Sequence, residues 1–470
     1  MKYYLAIDIG ASSGRHIISY LQNGKIVLEE IYRFENGVME RNGHLVWDWQ
    51  KLFSEIIEGM KRCKEAGKIP CSMGIDTWAV DYALLDEDDK ILGDLYSYRD
   101  HRNDGMDDRV KEFIGEEELY LRTGIQKQPF NTIYQLMAHR VYEKELLEKA
   151  KTLLMVPDYF HFLLTGNKVA EYTNASTTQL VSPDTKDWDL ELIERLGYPK
   201  EIFCSIKTPG TPIGNLKQDI RDLVGFDCQV VLPATHDTGA AVMAVPANTS
   251  GEKIEDCIYI SSGTWSLMGT ELSEANCTID SMKKNLTNEG GFDYRFRYLK
   301  NIMGMWMINS ARKEIAKDLD FATICEMASG ESICSIVDAN HQRFLAPKSM
   351  VEEVKNACRE TGQEVPDGIG QVAAVIYNSL ARCYADTLKE IEECTGKYFS
   401  CLHVVGGGAN AMYLNELTAK ACKIPVLAGP IEATAIGNVV GQMIASKEIK
   451  DLAAAKKCIA NSFEIRRVTC

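Results

Sequence analysis

The sequence predicts an α/β protein built from two similar halves, and three observations carry that reading. The N-terminal runs YYLAIDIGASSGR, RHIISYL and KIVLEEIY read as three strands, joined by a Gly-rich turn and an Asn23-Gly24 hairpin, ahead of a helix. A second strand, small-residue turn and strand, CIYISSGTWSLMG, opens the later half of the chain. The 470 residues also exceed what one ordinary core organises.

Taken in order, the first helix follows Asp48, a residue suited to cap it. Trp49, Leu52, Phe53, Ile56, Ile57 and Met60 recur at helical spacing before Gly67 stops the run. MGIDTWAVDYALLDEDDKIL reads as two short strands around Thr77 and Trp78. From Asp107 to Glu194 the pattern is helices and loops, with NTIYQLMAHRVYEKELLEKA predicted as a single amphipathic helix. Strand character returns at CQVVLPATHDTGAAVMAV. The polar stretch PANTSGEKIED, Pro246 to Asp256, then marks the predicted boundary between domains 1–245 and 246–470. Beyond the second strand pair lies a long helix with Val372, Ile376, Leu380, Tyr384, Leu388 and Ile391 on one stripe and Gly396 at its end. A strand LHVVGGG, a helix NAMYLNELTAKAC, a strand IPVLAG and a small-residue helix EATAIGNVVGQMIAS complete the pattern. Two such halves, with Gly-rich turns at corresponding strand ends, imply a cleft between them.

Charge narrows the partners. With 52 basic and 67 acidic residues the formal net charge is −15, which argues against a nucleic-acid or anionic-membrane binder. The first apolar run is short and interrupted by Asp8, unlike a signal peptide, and no run is long enough to cross a bilayer. A cytoplasmic protein is expected, with its 15 cysteines reduced. Neither C-x-x-C nor H-E-x-x-H occurs, so local spacing indicates no zinc site.

The chemistry concentrates at strand ends. Turns of Gly, Ser and Thr there offer backbone N–H groups to phosphate oxygens, and three occur: Gly10 to Gly14, Ser261 to Thr264 and Gly406 to Gly408. Each alone reads as an ordinary tight turn. Their coincidence at corresponding strand ends favours a nucleotide. Asp8 stands where a Mg2+ bridges protein and nucleotide, the plainer alternative being a cap for turn amides. Asp237, in LPATHDTGAAV, is placed to accept a hydroxyl proton in phosphoryl transfer or, equally on local pattern, to cap a helix. Trp78 and Trp265 invite sugar stacking but read more readily as core. Arg99 and Arg102 around Asp100 would clamp a sugar or a phosphate, or form a surface ion-pair cluster.

The blocks IDIGASSGR, IDTWAVDYALLD, YRDHRND, HDTGAAV, SSGTWSLMG, NEGGFDYRFRYLKNIMGMWM and VVGGGANAMYLNELTA together resemble the FGGY carbohydrate kinases of the actin/hexokinase/Hsp70 ATPase superfamily. The resemblance runs in order from about residue 3 to residue 440. It implies two duplicated ribonuclease H-like, actin-like ATPase domains with a cleft between them. It implies ATP-dependent phosphorylation of the 1-hydroxyl of L-rhamnulose, with Mg2+, by a cytoplasmic monomer or homodimer. Carried over by position, Ala11, Ser12, Ser13, Gly14 and Arg15 lie on the phosphate side of ATP with Thr264. Gly407 lies by the adenosine part. Asp237 is the general base, His236, Thr238 and Asn301 line the sugar pocket, and Asp8 is the metal-side carboxylate. The family's sugar-contact Gly is here Ala79, and its nucleotide-side Gln is Asn309.

Three alternatives stand beside this. A kinase of L-fuculose, D-xylulose or glycerol would share the same residues. An NAD-dependent oxidoreductase would use the relaxed G-x-G-x-x-A pattern of Gly406, Gly408 and Ala411, with Glu432 downstream. A non-catalytic sugar sensor on the same scaffold would have no need of the acid in THDTG.

Overall fold

The computed structural model describes residues 1–246, 257–345 and 347–469. The predicted boundary segment Pro246 to Asp256 therefore lies, apart from Pro246, outside the described residues. Two compact units emerge. The first comprises Met1–Met243, Leu272–Tyr298 and Thr434–Ser462, and the second Ala244–Glu271, Leu299–Ala433 and Phe463–Cys470. The first unit thus includes two segments that a single cut near residue 245 assigns to the second half.

The first unit is organised by a six-stranded sheet. Its strands are β1 (Tyr3–Ile9), β2 (Ser13–Gln22), β3 (Lys25–Glu35), β4 (Pro70–Thr77), β5 (Pro212–Asn215) and β6 (Gln229–Val231). They lie in the order β5-β6-β4-β1-β2-β3. β1 pairs antiparallel with β2, which pairs antiparallel with β3 through the Asn23-Gly24 turn; both turn residues have positive φ, as this short hairpin requires. β4 runs parallel to β1, and β6 parallel to β4. Both faces of β1 are buried, so it reads as a continuous apolar run broken only by Asp8.

Helix α1 (Trp49–Glu65) packs one face of this sheet. Asp48 caps it as the sequence predicts, accepting from Lys51 N at 3.0 Å, and Leu52, Ile56, Ile57 and Met60 are buried. A helix from the far end of the chain belongs to the same unit. It runs Ala433–Ala445, and its Gln442 Nε2 donates to Leu5 O at 2.9 Å while Ser72 Oγ donates to Gln442 Oε1 at 2.7 Å. Buried amides satisfy strand groups there, and this explains why residues so distant in sequence join the first unit.

The segment predicted as one helix, Asn131 to Ala150, is two: Thr132–Tyr142 and Lys144–Lys149, broken where Glu143 leaves helical geometry at φ −138°. Nor is the first piece amphipathic. Thr132 to His139 are all buried, among them Gln135 and His139, whose polar atoms find partners inside.

The second unit repeats the plan. Strands β7 (Ile258–Ser262), β8 (Trp265–Leu272), β9 (Phe296–Met303), β10 (Leu402–Val405), β11 (Val426–Ala428) and β12 (Arg466–Val468) follow the order β9-β8-β7-β10-β11-β12. β7 pairs antiparallel with β8 and parallel with β10, just as β1 does with β2 and β4. The long helix Gly368–Thr395 buries Val372, Ile376, Leu380, Tyr384, Leu388 and Ile391, and Gly396 ends it at φ 68°. Every described cysteine is a free thiol. Among the described residues no helix is long and apolar enough to cross a membrane.

Candidate active site

Three neighbouring strand ends of the first sheet gather the acids. Parallel register sets Asp8 on β1 beside Asp76 on β4, and Thr77 pairs with His236 in an isolated parallel bridge, its N–H donating to Thr235 O at 2.9 Å. Asp237 follows as the first residue of the helix Asp237–Met243. Asp8 and Asp76 are buried, while Asp237 keeps 34% of its side chain exposed. Of the three it is the most accessible.

Their environments differ. Burial raises the Asp237 carboxyl above its ordinary value and the charge of Asp8 adds to this; His236 and hydrogen bonds from Thr238 oppose it. Thr238 N reaches Asp237 Oδ1 at 2.6 Å and its hydroxyl does so at 3.2 Å, fixing the carboxylate's direction. A carboxylate made more basic than in water is the better proton acceptor. Asp76 is held well above the ordinary range, first by burial and then by the charge of Asp8, against a 2.5 Å hydrogen bond from Asn438 Nδ2. Asp8 accepts from Arg15 at 2.6 Å. Arg15, expected beside phosphate, is thus an ion-pair partner of the expected metal-side acid.

The strand-end segment is anchored from below by Glu171. This buried carboxylate accepts from Thr235 N at 3.0 Å, Thr235 Oγ1 at 2.8 Å and Thr173 Oγ1 at 2.5 Å, and Thr173 Oγ1 in turn accepts from His236 N at 3.2 Å. Burial raises the Glu171 carboxyl; these donors pull against it. The turn after β1 leaves Ser12 exposed and Ala11 and Ser13 partly so, which suits the role expected of them. Gly14 has a different reason to be small, since a Cβ there would run into the Phe34 ring.

The candidate sugar-contact residue Ala79 sits in a constrained turn. Next to it Val80 has φ 69°, an unusual conformation for a β-branched residue, and its carbonyl accepts from Thr132 Oγ1 at 2.7 Å and Gln135 Nε2 at 3.2 Å. Asp81 ties the turn down. It accepts from the indoles of Trp47 and Trp78 at 2.7 and 2.9 Å, from Gln135 at 2.9 Å and from Tyr98 N at 3.1 Å. Burial pushes its carboxyl up to about 6 against these donors. Trp78 is buried against Trp47, ring centres 4.1 Å apart, so core packing accounts for it. Arg102 is likewise committed, buried over the Tyr96 ring and donating to Glu143 at 2.6 Å; it is neither a free clamp nor a surface ion pair.

In the second unit the two remaining turns lie against each other. Gly406, at φ 85°, would bring a Cβ to 2.9 Å from Ser262 O, and a Cβ on Gly408 would overlap the Ser262 hydroxyl. These glycines let the β7–β8 turn and the triple-Gly turn close up. Thr264 and Gly407 are exposed there, with nothing within 4 Å of a Cβ on Gly407. Asn309 lies part-exposed on the helix Trp306–Ile315. Asn301, on β9, has a buried Oδ1 with no hydrogen-bond partner among the described residues.

Sequence reasoning missed Asp76, Glu171, Glu289, Arg297 and Asn438. For Asp76 the signal was present: an acid inside an apolar strand, as for Asp8. For the others nothing local marks them.

A duplicated strand order, with acids ending one sheet and glycines another, is the arrangement of a sugar kinase of the actin-like ATPase fold, and the chain belongs to the FGGY family of carbohydrate kinases. The family's N-terminal domain matches residues 3–244 and its C-terminal domain residues 258–446. The chain is 52% identical over 467 residues to a rhamnulokinase of Halalkalibacterium halodurans, covering 99% of this chain and 98% of that one. It is 42% identical to a rhamnulokinase of Bacillus subtilis, over 99% and 95%. Its fold matches a ligand-bound xylulose kinase from Lactobacillus acidophilus with a TM-score of 0.81 at 16% identity, over 100% and 94% of the chains. A Plasmodium falciparum glycerol kinase with ADP matches at 0.76 and 14%, over 100% and 94%. The enzyme is therefore a phosphotransferase with a small sugar as acceptor and ATP as donor.

Proposed function

We propose that the enzyme transfers the γ-phosphate of ATP to the 1-hydroxyl of L-rhamnulose, in the cytoplasm, as a monomer or homodimer. The observation that carries the reading is Asp237, the half-buried and most accessible acid of a three-acid strand end, held by Thr238 and flanked by His236. Close identity to rhamnulokinases over nearly the whole chain supports the choice of sugar.

Asp237 accepts the hydroxyl proton as the oxygen attacks, and its raised basicity suits this. His236, Thr238, Asn301 and the backbone at Ala79 hold the sugar. Ala11, Ser12, Ser13, Gly14 and Arg15, with Thr264, hold the phosphates, while Gly407 and Asn309 hold the nucleoside part. Asp8 offers the hard carboxylate oxygens that suit Mg2+. When bound, Mg2+ offsets charge on the transferring phosphate.

ADP release with Mg-ATP, comparing L-rhamnulose with L-fuculose, D-xylulose, D-ribulose and glycerol, tests this. A dominant response to L-rhamnulose is expected. A dominant response to another sugar keeps the kinase and transfers attention to Ala79.

A further inference from the structure

His236 is gripped by a buried ion pair that the phosphoryl-transfer chemistry does not use. Arg297 is fully buried and Glu289 and His236 nearly so. Arg297 Nη2 lies 3.1 Å from His236 Nδ1 and 3.1 Å from Glu289 Oε2, while its Nε donates to Gly290 O at 2.8 Å. On the opposite edge of the ring, His236 Nε2 faces Asp237 Oδ1 at 3.5 Å.

A guanidinium has five donors, no acceptor, and does not lose its proton in a protein. The nitrogen it meets at hydrogen-bond distance must therefore present a lone pair. In a neutral imidazole a bare Nδ1 puts the proton on Nε2. The competing arrangement, Nδ1–H donating to Glu289, has a longer separation of 3.4 Å. Burial alone would raise the Glu289 carboxyl, but the Arg297 charge first, with smaller contributions from His236, outweighs it and holds the group below its ordinary value. Glu289 is therefore the counter-ion that lets a guanidinium sit in the core.

We infer that Arg297 is a positioning residue that fixes His236 as the Nε2–H tautomer, so that the imidazole donates a hydrogen bond to an oxygen of the sugar beside Asp237. Glu289 supports it by neutralising Arg297. This rests on the sugar-kinase reading above.

Two measurements test it, and the first needs no activity. Nitrogen-15 spectra of His-labelled protein, with His236→Gln to assign the ring, should show a bare Nδ1 and a protonated Nε2. A protonated Nδ1 overturns the inference. The second is kinetic. The charge-balanced pair Glu289→Gln with Arg297→Met should raise KM for L-rhamnulose about 10-fold, the loss of one hydrogen bond, and leave KM for ATP unchanged. Added to His236→Ala, the same pair should cost less than about 2-fold more, since its effect passes through the imidazole. An equal cost with and without His236 overturns the inference. Glu289→Gln alone, which keeps the Arg297 donor, should raise KM for L-rhamnulose less than the pair does; a rise as large as the pair's would assign the grip to Glu289 instead. If wild type phosphorylates no sugar, the kinase reading fails and the positioning role with it, while the spectra still decide the tautomer.

Discussion

The two sheets share a strand order but finish their central strands with opposite chemistry. Where β1 and β4 set Asp8 opposite Asp76, the matching register of β7 and β10 sets Ser261 opposite Val405. The first sheet ends in acids held by buried donors, and the second ends in small residues packed turn on turn. One scaffold therefore carries two arrangements: gathered acids in the first, and exposed Thr264 and Gly407 in the second. The acids demand anchors. Asp237 has Thr238 and the Glu171 cluster beneath it, whereas the glycines of the second sheet need only space.

The comparison breaks most visibly at Asp237. Asp237→Asn should lower kcat about 1,000-fold, the span of a general base, with ATP affinity measured by calorimetry nearly unchanged. Near-normal turnover would take Asp237 out of this role. Next in size is Glu171→Ala. It strands the Thr235 and Thr173 donors in the core and should cost about 3 kcal/mol in urea unfolding, with a drop in kcat as His236 and Asp237 shift. In the second unit Gly408→Ala must push against Ser262 and should raise KM for ATP about 10-fold, while Gly407→Ala, with open space, should leave it within about 2-fold. Equal effects at both positions would mean that the turn packing is not what the nucleotide requires.

A further effect, on pH stability, again belongs to the first sheet. His16 on β2 is buried, its Nε2–H donating to Ile56 O at 3.1 Å, and burial lowers it to about 4. The folded state thus binds its proton less readily than the unfolded state. Stability from this group is complete above the unfolded value of about 6.5 and is lost as pH falls toward about 4. Urea melts from pH 7 to pH 4.5 should show wild type weakening faster than His16→Phe by about 2 kcal/mol. Parallel slopes would assign the acid sensitivity elsewhere.

These contrasts also explain what the sequence disclosed. The duplicated strand-turn-strand units, the Asp48 cap and the Asn23-Gly24 hairpin were legible because each is a local pattern with a local cause. Asp8 and Asp237 were legible for the same reason, as acids at the ends of apolar runs. Glu171, Glu289, Arg297 and Asn438 were not, because their meaning lies in partners distant along the chain, such as Thr235 or Asp76. The segment from Asn131 to Ala150 was misread because its first helix is buried all round, so its polar residues point inward rather than to water. Trp78, which the sequence reads more readily as core, is core and donates to the buried Asp81, whereas Arg102, read as a clamp or a surface ion pair, is itself buried and donates to the half-buried Glu143.

The most direct test of the central claim is the position of the phosphate in the product formed from Mg-ATP and L-rhamnulose, read by phosphorus–proton NMR coupling. Coupling to the two protons of the C1 methylene is the result predicted for a base at Asp237 facing the 1-hydroxyl. Phosphate coupled to a single methine proton, or ADP release without a sugar phosphate, would contradict it.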